Sequence, residues 1–175
     1  MKGEPPLNVT PTQILDIYVF GDGESGELGL GPKSVDGLRP TNVKYPRLNK
    51  LLSDFGIVQI VVDGMHCVAL THDQKIVTWD VNDNGALGRD TMWEAPTRDI
   101  DDKSNSEASE EESDLNPKES TSTAIPQKDL GNGDHNFAQV AATDSASFAL
   151  TRDGLVWGWG TFCVLLPPNV SREIL

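Results

Sequence analysis

Several things are scarce in this sequence, and each scarcity excludes something. Two cysteines, Cys67 and Cys163, stand in unrelated contexts, which argues against a disulfide framework or a zinc site. Basic residues are few: 14 Lys and Arg against 27 Asp and Glu give a formal net charge of −13. Binding a phosphate backbone draws on clustered Lys and Arg, so bare nucleic acid is excluded as the primary partner. The longest apolar-rich run, Ile57 to Val62, is far too short to span a bilayer. Met1 to Thr12 has one Lys, two consecutive prolines and no apolar stretch, so no secretory signal is visible and the chain is expected to be soluble and intracellular. In that setting the sequons Asn8-Val9-Thr10 and Asn169-Val170-Ser171 read as chance matches.

Catalytic constellations are also missing. His66, His72 and His135 share no spacing, each reads by default as a surface or loop histidine, and no G-x-S-x-G occurs. The expectation is a protein without covalent chemistry, cofactor, metal or small-molecule substrate.

What is present is turn chemistry. The 175 residues allow one medium domain, burying roughly 70% of the unfolded-chain surface. Hydrophobic content of 37% is below the globular average, so part of the chain is expected to stay outside a core. With 16 Gly, 11 Pro and no sustained helical period, the chain reads as all-β.

The sequence repeats itself, which has to be settled before any single element is read. Ile60 to Asp73 aligns with Val140 to Asp153 at an offset of 80 residues, continuing through Trp79 and Trp159. Gly26-Glu27-Leu28-Gly29 aligns with Gly85-Ala86-Leu87-Gly88 at an offset of 59. The offsets differ by 21 residues, so the second interval holds an insertion. It is assigned to residues 97–122; from Asp99 to Asp114 alone it has eight acidic residues, four serines and one lysine. Such a segment buries too little apolar surface to offset its ordering entropy, and it is expected to be a disordered loop. Ser104 and Ser109, each with Glu three residues later, suit an acid-directed kinase.

Short β-rich runs separated by turn signals predict antiparallel strands over Asp16–Phe20, Val58–Val62, Cys67–Thr71, Lys75–Trp79, Ala138–Ala142, Ser147–Thr151 and Leu155–Trp159. Leu48 to Phe55 predicts a short helical turn. Strand units recurring about every 60 residues suggest propeller blades.

Three motifs have ordinary explanations. Gly21-Asp22-Gly23-Glu24-Ser25-Gly26 fits GxGxxG, but two further glycines and Pro32 follow where a dinucleotide-binding helix would have to open. Asp80 to Gly85 matches half of an EF-hand loop, yet Thr91 stands where the bidentate Glu belongs. Trp79-Asp80 suggests a WD blade, but the pair does not recur at Trp159-Gly160.

The decamer Asn82 to Thr91, with Gly26 to Gly31 and Gly64-Met65-His66, resembles the regulator of chromosome condensation family, most strongly its fungal nuclear members. The resemblance covers Asp16 to Phe162. It implies a propeller of about seven blades, of which about two and a half are present. It also implies a nuclear guanine-nucleotide exchange factor for the small GTPase Ran, which also docks on nucleosomes and supports nucleocytoplasmic transport and chromosome organisation. Position by position, the family's GTPase-facing surface falls on Glu24, His66 and Asp144. The alternative is a non-catalytic repeat module acting as a chromatin or protein-interaction scaffold.

The chain departs from the family's pattern in places. Asp63 and Asp80 stand where the family usually has glycine, and Ala146 replaces a histidine. After Phe162 the sequence Cys163-Val164-Leu165-Leu166-Pro167-Pro168 is unlike the family. The expected organisation is an N-terminal tail over 1–15, incomplete propeller repeats over 16–162 and an unrelated tail over 163–175. Exchange activity is expected to be lost in so truncated a chain.

Overall fold

The computed structural model describes residues 8–34, 40–95, 115–131 and 135–161. The disordered-loop expectation for Asp99 to Asp114 and the tail over 163–175 lie outside the described residues. Three antiparallel sheets carry the fold, the arrangement expected of consecutive propeller blades. The first pairs β1 (Tyr18–Gly21) with β2 (Val43–Leu48). The second has four strands in sequence order: β3 (Ile57–Asp63), β4 (His66–Thr71), β5 (Ile76–Asp80) and β6 (Thr123–Ala124). The third has β7 (Phe137–Thr143), β8 (Ala146–Thr151) and β9 (Val156–Gly160). A short helix α1 (Lys50–Asp54) leads into β3, and α2 (Pro117–Ser120) precedes β6.

The 80-residue repeat is visible in backbone detail. The register of β3 on β4 shifts between Ile57 and Gln59, and that of β7 on β8 shifts between Phe137 and Gln139. The β4–β5 turn is closed by Thr71, whose hydroxyl donates to the Asp73 carboxylate and accepts from Lys75 N at 2.9 Å. Thr151 bonds the Asp153 carboxylate and accepts from Leu155 N in the same way. The Thr-x-Asp recurrence is therefore a turn device: a hydroxyl takes over a backbone N–H.

Strand β4 is buried along its whole length because the second sheet has a neighbour on each face. Side chains alternate across a strand. Cys67, Ala69, Val77 and Trp79 pack toward Ile17, Leu52 and Ile57 on the first-sheet side. Val68, Leu70 and Ile76 pack with Ile125, Leu130, Phe137, Val140 and Ala149 on the third-sheet side. Each such aliphatic side chain contributes roughly 1.5 to 3 kcal/mol of burial. Gln59 reinforces the second joint: its amide donates to Val140 O and accepts from Val140 N, both at 3.1 Å.

Two strands and one helix differ from the sequence-based expectation. β2 contains Pro46 and is mostly exposed, so it shows no alternation. β6 has only two residues. The stretch 97–122 assigned to an insertion is ordered at its C-terminal end. Asn116 caps α2 by accepting from Lys118 N at 2.9 Å, and Thr121 bridges to Leu30.

Candidate functional site

The β3–β4 and β7–β8 turns of the second and third sheets meet at one end of the stack. Val81 N donates to Met65 O at 3.0 Å, and at the same step of the next repeat Thr161 N donates to Ser145 O at 2.9 Å. Each β-turn is thus stapled to the residue following its own third strand. The two turns also touch each other. Gly64 lies at φ +53, and a Cβ there would sit 2.6 Å from Asp144 O and 2.9 Å from its Oδ1. Only glycine allows this approach.

Asp144 is exposed on that turn and accepts a hydrogen bond from Ser145 Oγ at 3.0 Å. Glu24 is exposed on the loop after β1, where its N–H donates to Asp22 Oδ1 at 3.2 Å. It borders an open cleft of about 640 Å³ lined by Thr41 to Arg47 of and beside β2. The loop carrying it turns through Gly26 N to Gly23 O at 3.2 Å and Gly29 N to Gly26 O at 2.9 Å. No helix opens there, in keeping with the ordinary reading of the GxGxxG match.

His66 needs correction. Sequence reading placed its imidazole at the surface, but the side chain is 2% exposed. The register of β4 sets it beneath the Asp144 turn, hydrogen-bonded to the Ala146 backbone, with Nε2 unpartnered. Burial pulls its pKa down, against the Ala146 bond and the nearby Asp63 and Asp144 carboxylates. His135 is also tied in, its Nε2 2.8 Å from Leu130 O and its ring 4.3 Å from that of Trp157, whereas His72 is exposed.

The two aspartates at glycine positions take different courses. Asp63 needs no left-handed backbone and remains an exposed carboxylate at the end of β3. Asp80 does adopt one, at φ +81, where the corresponding residues of the other sheets are Gly21 at φ +111 and Gly160 at φ +94. Its carboxyl is 3% exposed. Burial raises its pKa to about 7, helped by the Glu27 and Glu119 carboxylates and opposed by the bond from Val81 N.

Sequence reasoning missed two exposed carboxylates at this end, Asp63 and Asp83. The 59-residue offset could have found Asp83, which is the counterpart of Glu24. With Asp22, Glu24 and Asp144 they make an acidic rim suited to a basic protein surface. Among the described residues no three His, Cys, Asp or Glu side chains converge as a metal site requires. The half-match to a calcium loop is a 3-10 turn over Asp83–Gly85, and Asn82 is spent inside it, accepting from Leu87 N and donating to Arg89 O and Thr91 Oγ1. The Cys67 thiol is buried, with its pKa pushed up to about 12.

Comparison with known proteins agrees with this architecture. Two models of the regulator of chromosome condensation (RCC1) repeat match, one over residues 16–70 and one over residues 137–162. Residues 16–70 and 137–162 are RCC1 repeats. It is 42% identical over 158 residues to the guanine nucleotide exchange factor SRM1 of Saccharomyces cerevisiae, covering 86% of this chain and 31% of that protein. It is 37% identical over 155 residues to protein pim1 of Schizosaccharomyces pombe, covering 87% and 25%. The solved structure of Prp20p from Saccharomyces cerevisiae, described with its binding to Gsp1p and histones, superposes with a TM-score of 0.64. The identity is 38%, over 89% of this chain and 30% of that one. The chain thus spans about a third or less of the length of these RCC1-repeat relatives. Its three sheets are a partial propeller.

Proposed function

We propose that these repeats supply part of the partner-binding face of a guanine-nucleotide exchange factor for a Ran-type GTPase, working in the nucleus in transport and chromosome organisation. The observation that carries this reading is the acidic rim at one end of RCC1 repeats whose relatives include a named exchange factor. Glu24 and Asp144 meet a basic surface of the GTPase directly, and His66 holds the Asp144 turn from beneath. Exchange of this kind needs no covalent chemistry. A surface that favours the nucleotide-free GTPase lowers nucleotide affinity, and by linkage nucleotide lowers the affinity for that surface to the same degree.

The reading also limits what the chain does alone. Among the described residues β1 and β9 each leave one edge without a strand partner, and the chain spans 31% of SRM1. On this reading the repeats present bind without accelerating release. The test is retention of nucleotide-free Ran-type GTPase on the immobilised chain, run beside release of a fluorescent guanine nucleotide. Retention that GDP abolishes, with no acceleration of release, is expected. Retention of nucleosomes with no retention of the GTPase overturns the reading in favour of a chromatin scaffold, an alternative suggested by the histone binding described for Prp20p.

A further inference from the structure

The Glu24 loop is held from its own sheet by Asn49, whose Nδ2 donates to Leu28 O at 3.0 Å and to Gly29 O at 3.2 Å, and it is braced from a distance by a basic side chain. Arg89 follows the second sheet's glycine loop. Its Nε donates to Thr78 Oγ1 at 3.1 Å, its Nη2 to Thr78 O at 2.9 Å and its Nη1 to Lys118 O at 2.6 Å. Thr78 is fully buried, so Arg89 anchors α2 to β5. Other contacts close the same junction. Thr91 Oγ1 donates to Glu119 Oε1 at 2.9 Å, Asn116 Nδ2 to Thr91 O at 2.9 Å and Lys118 Nζ to Met92 O at 2.8 Å.

From α2 the support continues to the Glu24 loop. Ser120 O accepts from Gly31 N at 2.9 Å, and Thr121 bridges to Leu30. Gly26, which closes the turn containing Glu24, lies at φ +105, and a Cβ there would stand 2.9 Å from Ser120 Cα. The loop rests on the backbone of α2 with no side chain between them. We propose that Arg89, together with Glu119, is a positioning residue that fixes the Glu24 turn for its protein partner through α2. This rests on the reading of Glu24 as a partner contact. A fork of donors is needed because Thr78 and Lys118 O lie in different directions, which a single ammonium group cannot reproduce.

The test is amide hydrogen exchange on the full chain with Arg89→Met and Arg89→Lys, beside retention of nucleotide-free Ran-type GTPase. Exchange across residues 24–31 is expected to quicken roughly tenfold or more in both variants. Amides of β7 and β8 are expected to stay as in the wild type. Thr91→Val, which removes the bond to Glu119 and the one accepted from Asn82 but leaves Arg89 in place, gives a smaller change in the same residues and covers the case in which Arg89→Met does not fold. On binding, Glu24→Gln and Arg89→Met are expected to weaken retention without adding, as coupled residues do. Unchanged exchange at 24–31, equal loosening of every sheet, or additive losses of binding overturns the proposal. A wild-type chain that retains no GTPase overturns the functional reading instead, and the exchange data then decide the positioning role alone.

Discussion

The indole Nε1 of Trp79 donates to the carbonyl of Glu27 at 3.0 Å, crossing from the second sheet to the loop that leaves the first. Cys67 Sγ lies 3.9 Å from the same oxygen. One repeat later Ser147 Oγ donates to Ala86 O at 2.7 Å, so the carbonyl after each glycine-rich loop is taken by the next sheet. The glycines beside these contacts explain the recurring Gly-x-x-Gly. A Cβ on Gly29, at φ +61, would stand 2.9 Å from Trp79 Nε1, and one on Gly88, at φ +65, would stand 2.9 Å from Trp159 Cγ.

Trp79→Phe should therefore lower stability by about 2 kcal/mol, from the lost hydrogen bond and the smaller ring. Gly29→Ala should cost at least as much, through both crowding and the left-handed backbone. Urea unfolding followed by tryptophan fluorescence checks both, with the midpoint falling and the slope unchanged.

Asp80 opposes the fold at neutral pH in two ways, by its φ and by its buried charge. Its folded-state pKa is raised to about 7, so the stability its neutral form contributes is present below about pH 4. That contribution is lost as the pH rises through about 7. Asp80→Gly should stabilise the chain by about 1 kcal/mol or more from backbone relief alone. The gain over wild type should grow between pH 5 and pH 8. Melting temperatures of the two proteins across that range check it; a gain that shrinks with pH would show that the carboxyl is not the cause.

His66 works in the opposite sense. Its pKa is lowered, so the stability from the neutral ring is present above about pH 6.5 and is lost as the pH falls through the folded-state value. The imidazole should titrate below the ordinary histidine value of about 6.5 in a two-dimensional NMR titration. His66→Phe should keep the joint packed and reduce the loss of stability between pH 6.5 and pH 5.

These residues show how far the sequence could be read. The 80-residue repeat was legible because Val68, Leu70 and Ile76 recur in kind and pack between sheets, so the core strands β3 to β5 and β7 to β9 were placed to within two residues. β2 and β6 were not: both bury little and carry no β-rich apolar run of the kind that marked the others. α2 was lost in the acidic composition before it, although Asn116-Pro117 is a cap followed by a first-turn proline. The exposure of Glu24 and Asp144 was readable from turn chemistry. His66 was not, because its burial comes from a neighbour 80 residues away in sequence. The same holds for the Arg89 brace, which depends on where α2 returns.

If the acidic end of the repeats is the partner face, reversing its charges must weaken binding. The most direct test is a double charge reversal, Glu24→Lys with Asp144→Lys, in the full chain. Retention of nucleotide-free Ran-type GTPase should fall roughly tenfold or more, since reversed rim charges act against a basic partner, while the melting temperature stays as in the wild type. Undiminished retention by a folded double variant would contradict the account.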